Sequence, residues 1–80
     1  MARYDQAAKV IRKFGSPYKM AEFVRIHPAN IYKWTWDKAR GGTDGLIPSR
    51  SMPEVMRGAR LAGILLTAED LYPNVIPDGD

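Results

Sequence analysis

Ser16-Pro-Tyr-Lys-Met-Ala-Glu-Phe-Val-Arg-Ile-His-Pro-Ala-Asn-Ile-Tyr-Lys-Trp-Thr-Trp36 decides the fold, because this stretch contains two helix starts in close succession. Ser16 is typical of a helix cap, and Pro17 suits the first helical position, where its missing N–H does no harm. A second helix is predicted to begin at Pro28, with His27 in the cap position. Because about three residues join the two helices, they are predicted to cross steeply, as in a helix-turn-helix.

The same stretch resembles the helix-turn-helix of the phage Cro and repressor class. Five apolar residues stand at its buried positions, namely Met20, Val24, Ile26, Ile31 and Trp34. Ala21 is the small residue where the two helices of that motif touch most closely. The wider sequence, with Ile-His-Pro, Tyr-Lys-Trp and a later Gly-Leu-Ile-Pro, is similar to small Cro/CI-type (YdaS-like) regulators of phage and bacteria. Arg25 departs from the family, which usually has glycine with a positive φ in the turn; another residue there costs about 1 kcal/mol or more.

The remaining pattern predicts an all-α fold, a compact bundle of about five short helices that is lambda-repressor-like by resemblance. Asp5 is predicted to cap the first helix, and Gly15 ends it. Ser51 and Glu54 are predicted to form the capping box of a fourth helix, and Thr67 is predicted to cap a fifth.

Residues 37–50 are predicted to form a Gly-rich loop, which Leu46 and Ile47 attach to the core. Residues 64–66 form a buried connector, and no segment has the alternating pattern of a strand. The domain is predicted to span residues 1–73, with a flexible tail at 74–80.

Composition excludes several classes of protein. Eighty residues make one domain, and the chain has no cysteine and one histidine, so disulfides and thiolate metal sites are excluded. No metal, cofactor or small-molecule substrate is inferred. The sequence contains no nucleophile elbow, Walker loop or dinucleotide fingerprint, so it is not expected to be an enzyme. It also has no apolar stretch of about 20 residues and no signal peptide, so a cytoplasmic, nucleoid-associated location is expected without a membrane.

Charge is distributed unevenly along the chain. Residues 1–40 contain nine Lys or Arg and three acids, a net charge of +6, whereas residues 41–80 have a net charge of −3. A basic half that carries a helix-turn-helix suggests a surface for double-stranded DNA. The charge alone is equally consistent with a solvated surface that has no ligand.

The second helix of a helix-turn-helix enters the major groove, where its exposed side chains reach base edges. Asn30 can pair with adenine, Lys33 can bond guanine, and Ala29 can contact a thymine methyl group. Helix starts and flanking cations are expected at the phosphates. The candidate DNA-binding residues are Ser16, Tyr18, Lys19, His27, Ala29, Asn30, Tyr32, Lys33, Trp36, Lys38 and Arg40. Arg3 is a further candidate for the adjacent minor groove. Each of these residues has the alternative of being ordinary exposed surface.

The predicted function is sequence-specific double-stranded DNA binding by a transcription regulator, with repression by promoter occlusion favoured over activation. The alternative is a helical protein-interaction module, such as an antitoxin or adaptor, whose aromatic residues Tyr32, Trp34 and Trp36 form a hot spot. A basic surface around the second helix favours DNA, and a covered apolar patch favours the alternative.

A homodimer is expected, because one recognition helix covers too few base pairs for strong specificity. The acidic half carries more apolar side chains than a short helix pair can bury. The surplus is predicted to form an isologous interface at Leu61, Leu65, Leu71, Tyr72, Val75 and Ile76. The alternative is that all of them belong to the core of a single chain.

Overall fold

A computed structural model describes residues 3–77, and five α-helices together with two short 3₁₀ helices make up most of that part of the chain. In chain order the helices are α1 (Gln6–Phe14), α2 (Pro17–Ala21), α3 (Pro28–Lys33), α4 (Met52–Ala62) and α5 (Ala68–Leu71). Two short strands, β1 (Arg3–Tyr4) and β2 (Val75–Ile76), pair antiparallel. This arrangement confirms the predicted all-α fold class. Within residues 3–77, no helix is both long enough and apolar enough to cross a membrane.

Three helix caps form where the sequence predicts them. The Ser16 hydroxyl accepts a hydrogen bond from a backbone N–H at the start of α2. The Nδ1 atom of His27 accepts from the N–H of Ala29 at 3.1 Å. Thr67 and Asp70 form a reciprocal capping box at the start of α5. These caps are predictable because each involves residues at most three positions apart.

Two other predicted caps are wrong. Asp5 precedes α1 but makes no cap; its carboxylate instead accepts from the N–H of Asn74 at 2.9 Å. A 3₁₀ turn ends at Ser51, so its backbone is already helical and its side chain caps nothing. Glu54 pairs with Arg57 at 3.1 Å instead of completing a capping box.

The connection between α2 and α3 differs from the predicted turn. Helix α2 ends at Ala21, so six residues, 22–27, precede α3. A backbone bond from Val24 N to Met20 O, at 3.0 Å, continues helical hydrogen bonding past that end. Among residues 3–77, Asp44 is the one non-glycine residue with a positive φ, so Arg25 bears no left-handed strain. The longer connection removes the need for glycine.

The core lies between α1, the α2–α3 pair and α4. It contains Ala7, Val10, Ile11, Phe14, Met20, Val24, Ile31, Trp34, Ile47, Val55 and Ala59. Ala21 is only half-buried at its edge. A tight approach occurs at Gly58 of α4, where an added Cβ would lie 2.5 Å from Val24 Cγ1 and 3.1 Å from the carbonyl carbon of Phe23. The predicted burial of residues 64–66 is wrong for Leu65, which is 79% exposed.

The Gly-rich loop after α3 is fixed to two parts of the chain. Gly45 donates to the carbonyl of Trp34 at 2.7 Å and accepts from the N–H of Ala7 at 2.8 Å. Asp44 donates to the carbonyl of Trp36 at 2.9 Å. The loop therefore has a defined position beside the end of α3.

Gln6 joins three segments that are distant in sequence. Its side chain is buried; Nε2 donates to Leu71 O at 2.6 Å, and Oε1 accepts from Ile47 N at 2.9 Å. The amide thus connects α1 with the loop and with the end of α5. No periodicity rule identifies this role, because glutamine is more often found on the surface.

Replacing Gln6 with methionine is expected to lower the free energy of unfolding by about 2–4 kcal/mol, because one carbonyl and one N–H lose their partners. Urea denaturation followed by circular dichroism measures this change. A midpoint equal to that of the unsubstituted chain would contradict the assigned role of Gln6.

The chain ends differ from the predicted loose arm and tail. Tyr4 pairs with Val75, and Asn74 bonds Asp5, so residues 74–76 are held against the N-terminal segment. The Asn74 backbone N–H lowers the pKa of the Asp5 carboxyl below its usual value. A pair of two-residue strands is too short to produce an alternating pattern. Residues 78–80 of the predicted tail, and residues 1–2 of the predicted arm, lie outside the described residues.

Candidate nucleic-acid interface

Helix α3 turns one face to the core and the other to solvent. Ile31 and Trp34 are buried, as the spacing predicts. Four of the candidate residues are therefore exposed along the outer face, namely Ala29, Asn30, Tyr32 and Lys33. The outer face of α3 carries an amide, an aromatic ring and a cation within about two turns of helix.

His27 stands at the N-terminal end of this face. Because its Nδ1 accepts from Ala29, the proton of the neutral imidazole lies on Nε2. His27 itself is exposed, so the Nε2–H is available as a hydrogen-bond donor. Capping and ligand contact are therefore compatible in His27.

A basic groove, defined by Arg25, Lys33 and Arg50, lies on one side of α3. It is a depression of about 420 Å³, and His27 and Asn30 also line it. In the part of the chain that the structure describes, no carboxylate lines the groove. Within residues 3–77, no carboxylate oxygen lies within 4.0 Å of a charged nitrogen of these three cations. Anionic ligands are therefore favoured there, because the cations lack competing partners nearby.

An aromatic hollow, defined by Tyr18, Tyr32 and Trp36, lies on the other side of α3. It is a depression of about 370 Å³, and its remaining lining residues are His27, Pro28, Ala29 and Lys33. The rings of Tyr18 and Tyr32 meet edge to face, with centroids 6.0 Å apart. Tyr18 is 65% exposed, and Tyr32 and Trp36 are each 41% exposed. Lys33 and His27 line both depressions.

Four predicted residues lie elsewhere. The hydroxyl of Ser16 is engaged as the α2 cap. The Lys19 side chain folds back over Gly15, where an added Cβ would lie 2.9 Å from Lys19 Cδ. Lys38 lines a separate depression of about 320 Å³ formed by the Gly-rich loop itself, and Arg40 lines neither the basic groove nor the aromatic hollow.

Part of the basic half is engaged inside the molecule. Arg3 pairs with Asp37 at 3.5 Å, and Lys13 pairs with Asp70 at 3.4 Å. Lys9 donates to two backbone carbonyls near the C-terminus, at 2.7 and 2.8 Å. These three cations therefore contribute less to an external surface than the charge of the sequence suggests.

Arg25 and Arg50 are site residues that sequence reasoning missed. Arg25 was interpreted as a turn residue, and Arg50 stands 17 positions after Lys33 in a loop without periodicity. The fold of the Gly-rich loop brings them together. The available signal is the absence of an acidic residue within three positions of Arg50, and this signal is weak.

No family model, curated protein or solved structure matches the chain. Among residues 3–77, no three His, Cys, Asp or Glu side chains are grouped to hold a metal ion.

The predicted dimer residues are partly exposed. Leu61, Leu65, Tyr72 and Val75 are between 61% and 79% exposed. Leu71 packs against the core, and Ile76 is half-buried. The exposed apolar surface at the C-terminal half is thus smaller than predicted.

Proposed function

We propose that the protein is a sequence-specific double-stranded DNA-binding regulator that places α3 in the major groove. The observation that carries the proposal is the combination of an exposed amide and lysine on α3 with the basic groove beside them. The resemblance of the Ser16–Trp36 stretch to the Cro and repressor class supports the same conclusion.

The side chains divide between base contacts and phosphate contacts. Asn30 presents the donor and acceptor that adenine requires, and Lys33 presents donors for guanine. Arg25, Arg50 and the Nε2–H of His27 contact phosphates on the strand that passes the basic groove. Phosphate contacts fix the position of α3, and base contacts supply the specificity.

The protein regulates transcription by occupying a promoter. A dimer in the cytoplasm that covers a promoter excludes polymerase and represses transcription. The two chains meet through the exposed apolar residues of the C-terminal half, chiefly Leu61, Leu65, Tyr72 and Val75. Dimerisation places two copies of α3 on half-sites about 34 Å apart.

The test is selection of bound duplexes from a random pool, followed by titration of the selected duplex at several salt concentrations. Log affinity is expected to fall linearly with the logarithm of the salt concentration, and each neutralised phosphate is expected to contribute about 0.9 to the steepness of that slope. Two chains are expected to bind each duplex. No retardation of any duplex at low salt would contradict the proposal, and one chain per duplex would contradict the dimer.

The alternative function is protein interaction, and the aromatic hollow favours it. Exposed clusters of large apolar side chains often mark protein interfaces. A protein partner of the aromatic hollow would leave the basic groove unoccupied. Binding of that protein partner would then depend little on salt, and no duplex would be retarded. The same titration therefore separates the two functions.

A further inference from the structure

The aromatic hollow has chemistry that paired DNA does not use fully. Base pairs in the major groove present their edges, whereas an aromatic side chain binds a base best through the ring face. The rings of Tyr18 and Tyr32 meet edge to face, with an angle of 73° between their planes. In such a pair, one ring makes contact through its edge, so neither of its faces is covered by the other ring. Trp36 adds a third exposed ring in the same depression.

The rim of the hollow selects an anionic ligand. Lys33 and His27 line both the hollow and the basic groove, and none of the carboxylates of residues 3–77 lines either depression. An aromatic site for a cation would be expected to include acidic side chains, which are absent from this lining. The aromatic rings of the hollow can bind a base, and the donors beside them can bind a phosphate. Together they match the two parts of a nucleotide.

We propose that the aromatic hollow binds one unpaired base of DNA, stacked on Tyr18, Tyr32 or Trp36, while α3 holds the adjoining duplex. This inference rests on the proposed placement of nucleic acid at α3. It assigns the protein a preference for duplexes that contain an unpaired or extruded nucleotide at the bound site.

The chain contains its own reporter. Its two tryptophans are Trp34, which is 4% exposed in the core, and Trp36, which is 41% exposed in the hollow. Stacking of a base on Trp36 is expected to quench its fluorescence, whereas Trp34 is shielded. Trp36→Phe keeps an aromatic ring, so it should remove the quenching and largely keep the binding.

The experiment compares a selected duplex with the same duplex carrying one unpaired thymidine. The unpaired form is expected to bind about tenfold more tightly, and Tyr18→Leu is expected to abolish that preference. Phe23→Leu is the matched control, because Phe23 is also an exposed aromatic residue but lines neither depression and belongs to no proposed interface. Circular dichroism confirms that each variant is folded.

The outcomes separate the inference from the proposed function. Equal affinity for both duplexes, without quenching, overturns the inference and leaves duplex binding intact. An equal loss of preference in Tyr18→Leu and Phe23→Leu also overturns it. Binding to the unpaired form alone supports the hollow and contradicts recognition of paired DNA. Binding to neither form overturns both.

Discussion

Replacing Gly45 with alanine is expected to lower the free energy of unfolding by about 2–5 kcal/mol. Gly45 has a φ of 86°, and a left-handed conformation costs a side chain about 1–2 kcal/mol. An added Cβ would also overlap the backbone carbonyl of Tyr4, and overpacking of this kind costs about 1–3 kcal/mol. Denaturation by urea or heat, followed by circular dichroism, measures the change.

Gly41→Ala is the matched control for this prediction. Gly41 has nearly the same φ, 85°, but nothing lies within 4 Å of an added Cβ. The control therefore carries the conformational cost alone, about 1–2 kcal/mol. Equal destabilisation by the two substitutions would show that the approach to Tyr4 is not a constraint.

Local chemistry made much of the fold predictable. The caps at Ser16, His27 and Thr67 and the glycine stop at Gly15 depend on neighbouring residues, and all four are present. The buried positions Ile31 and Trp34 follow from helical spacing. The outer face of α3 follows from the same spacing, so its exposed residues were also predictable.

Contacts between distant residues were not predictable in this way. Asp5 has the sequence of a cap, but it bonds Asn74, 69 positions away. Gln6 is polar, yet it is buried because two backbone groups from other segments require its amide. Such pairings depend on the assembled fold, and no local pattern records them.

The candidate site likewise contains residues that local sequence predicts and residues that only the folded chain brings together. Periodicity located Asn30 and Lys33, but only the folded loop brings Arg50 to α3. The resemblance to a helix-turn-helix predicts Lys19 at a phosphate, because the helix that it begins crosses the DNA backbone in that motif; in the structure its side chain lies over Gly15. The positive charge beside α3 therefore comes from few residues, among them Arg25 of the basic half and Arg50 of the acidic half.

Arg25→Gln combined with Arg50→Gln is expected to weaken duplex binding about 50-fold at about 0.1 M salt, because two phosphate contacts are lost. The slope of log affinity against log salt is expected to become about 1.8 less steep for the same reason. Both arginines are exposed, so folding should be retained. Gel-shift titration of the selected duplex at several salt concentrations provides both quantities.

Arg12→Gln combined with Arg60→Gln is the control that distinguishes local contact from overall charge. Both residues are exposed, and neither lines the basic groove or the aromatic hollow. The control removes the same net charge as the Arg25 and Arg50 double variant. It is nevertheless expected to leave the salt slope nearly unchanged, because only cations at a phosphate release counterions. Equal losses in the two double variants would assign the effect to net charge and remove the basic groove from the interface. A loss confined to the Arg25 and Arg50 pair would locate the phosphate backbone beside α3, on the side opposite the aromatic hollow.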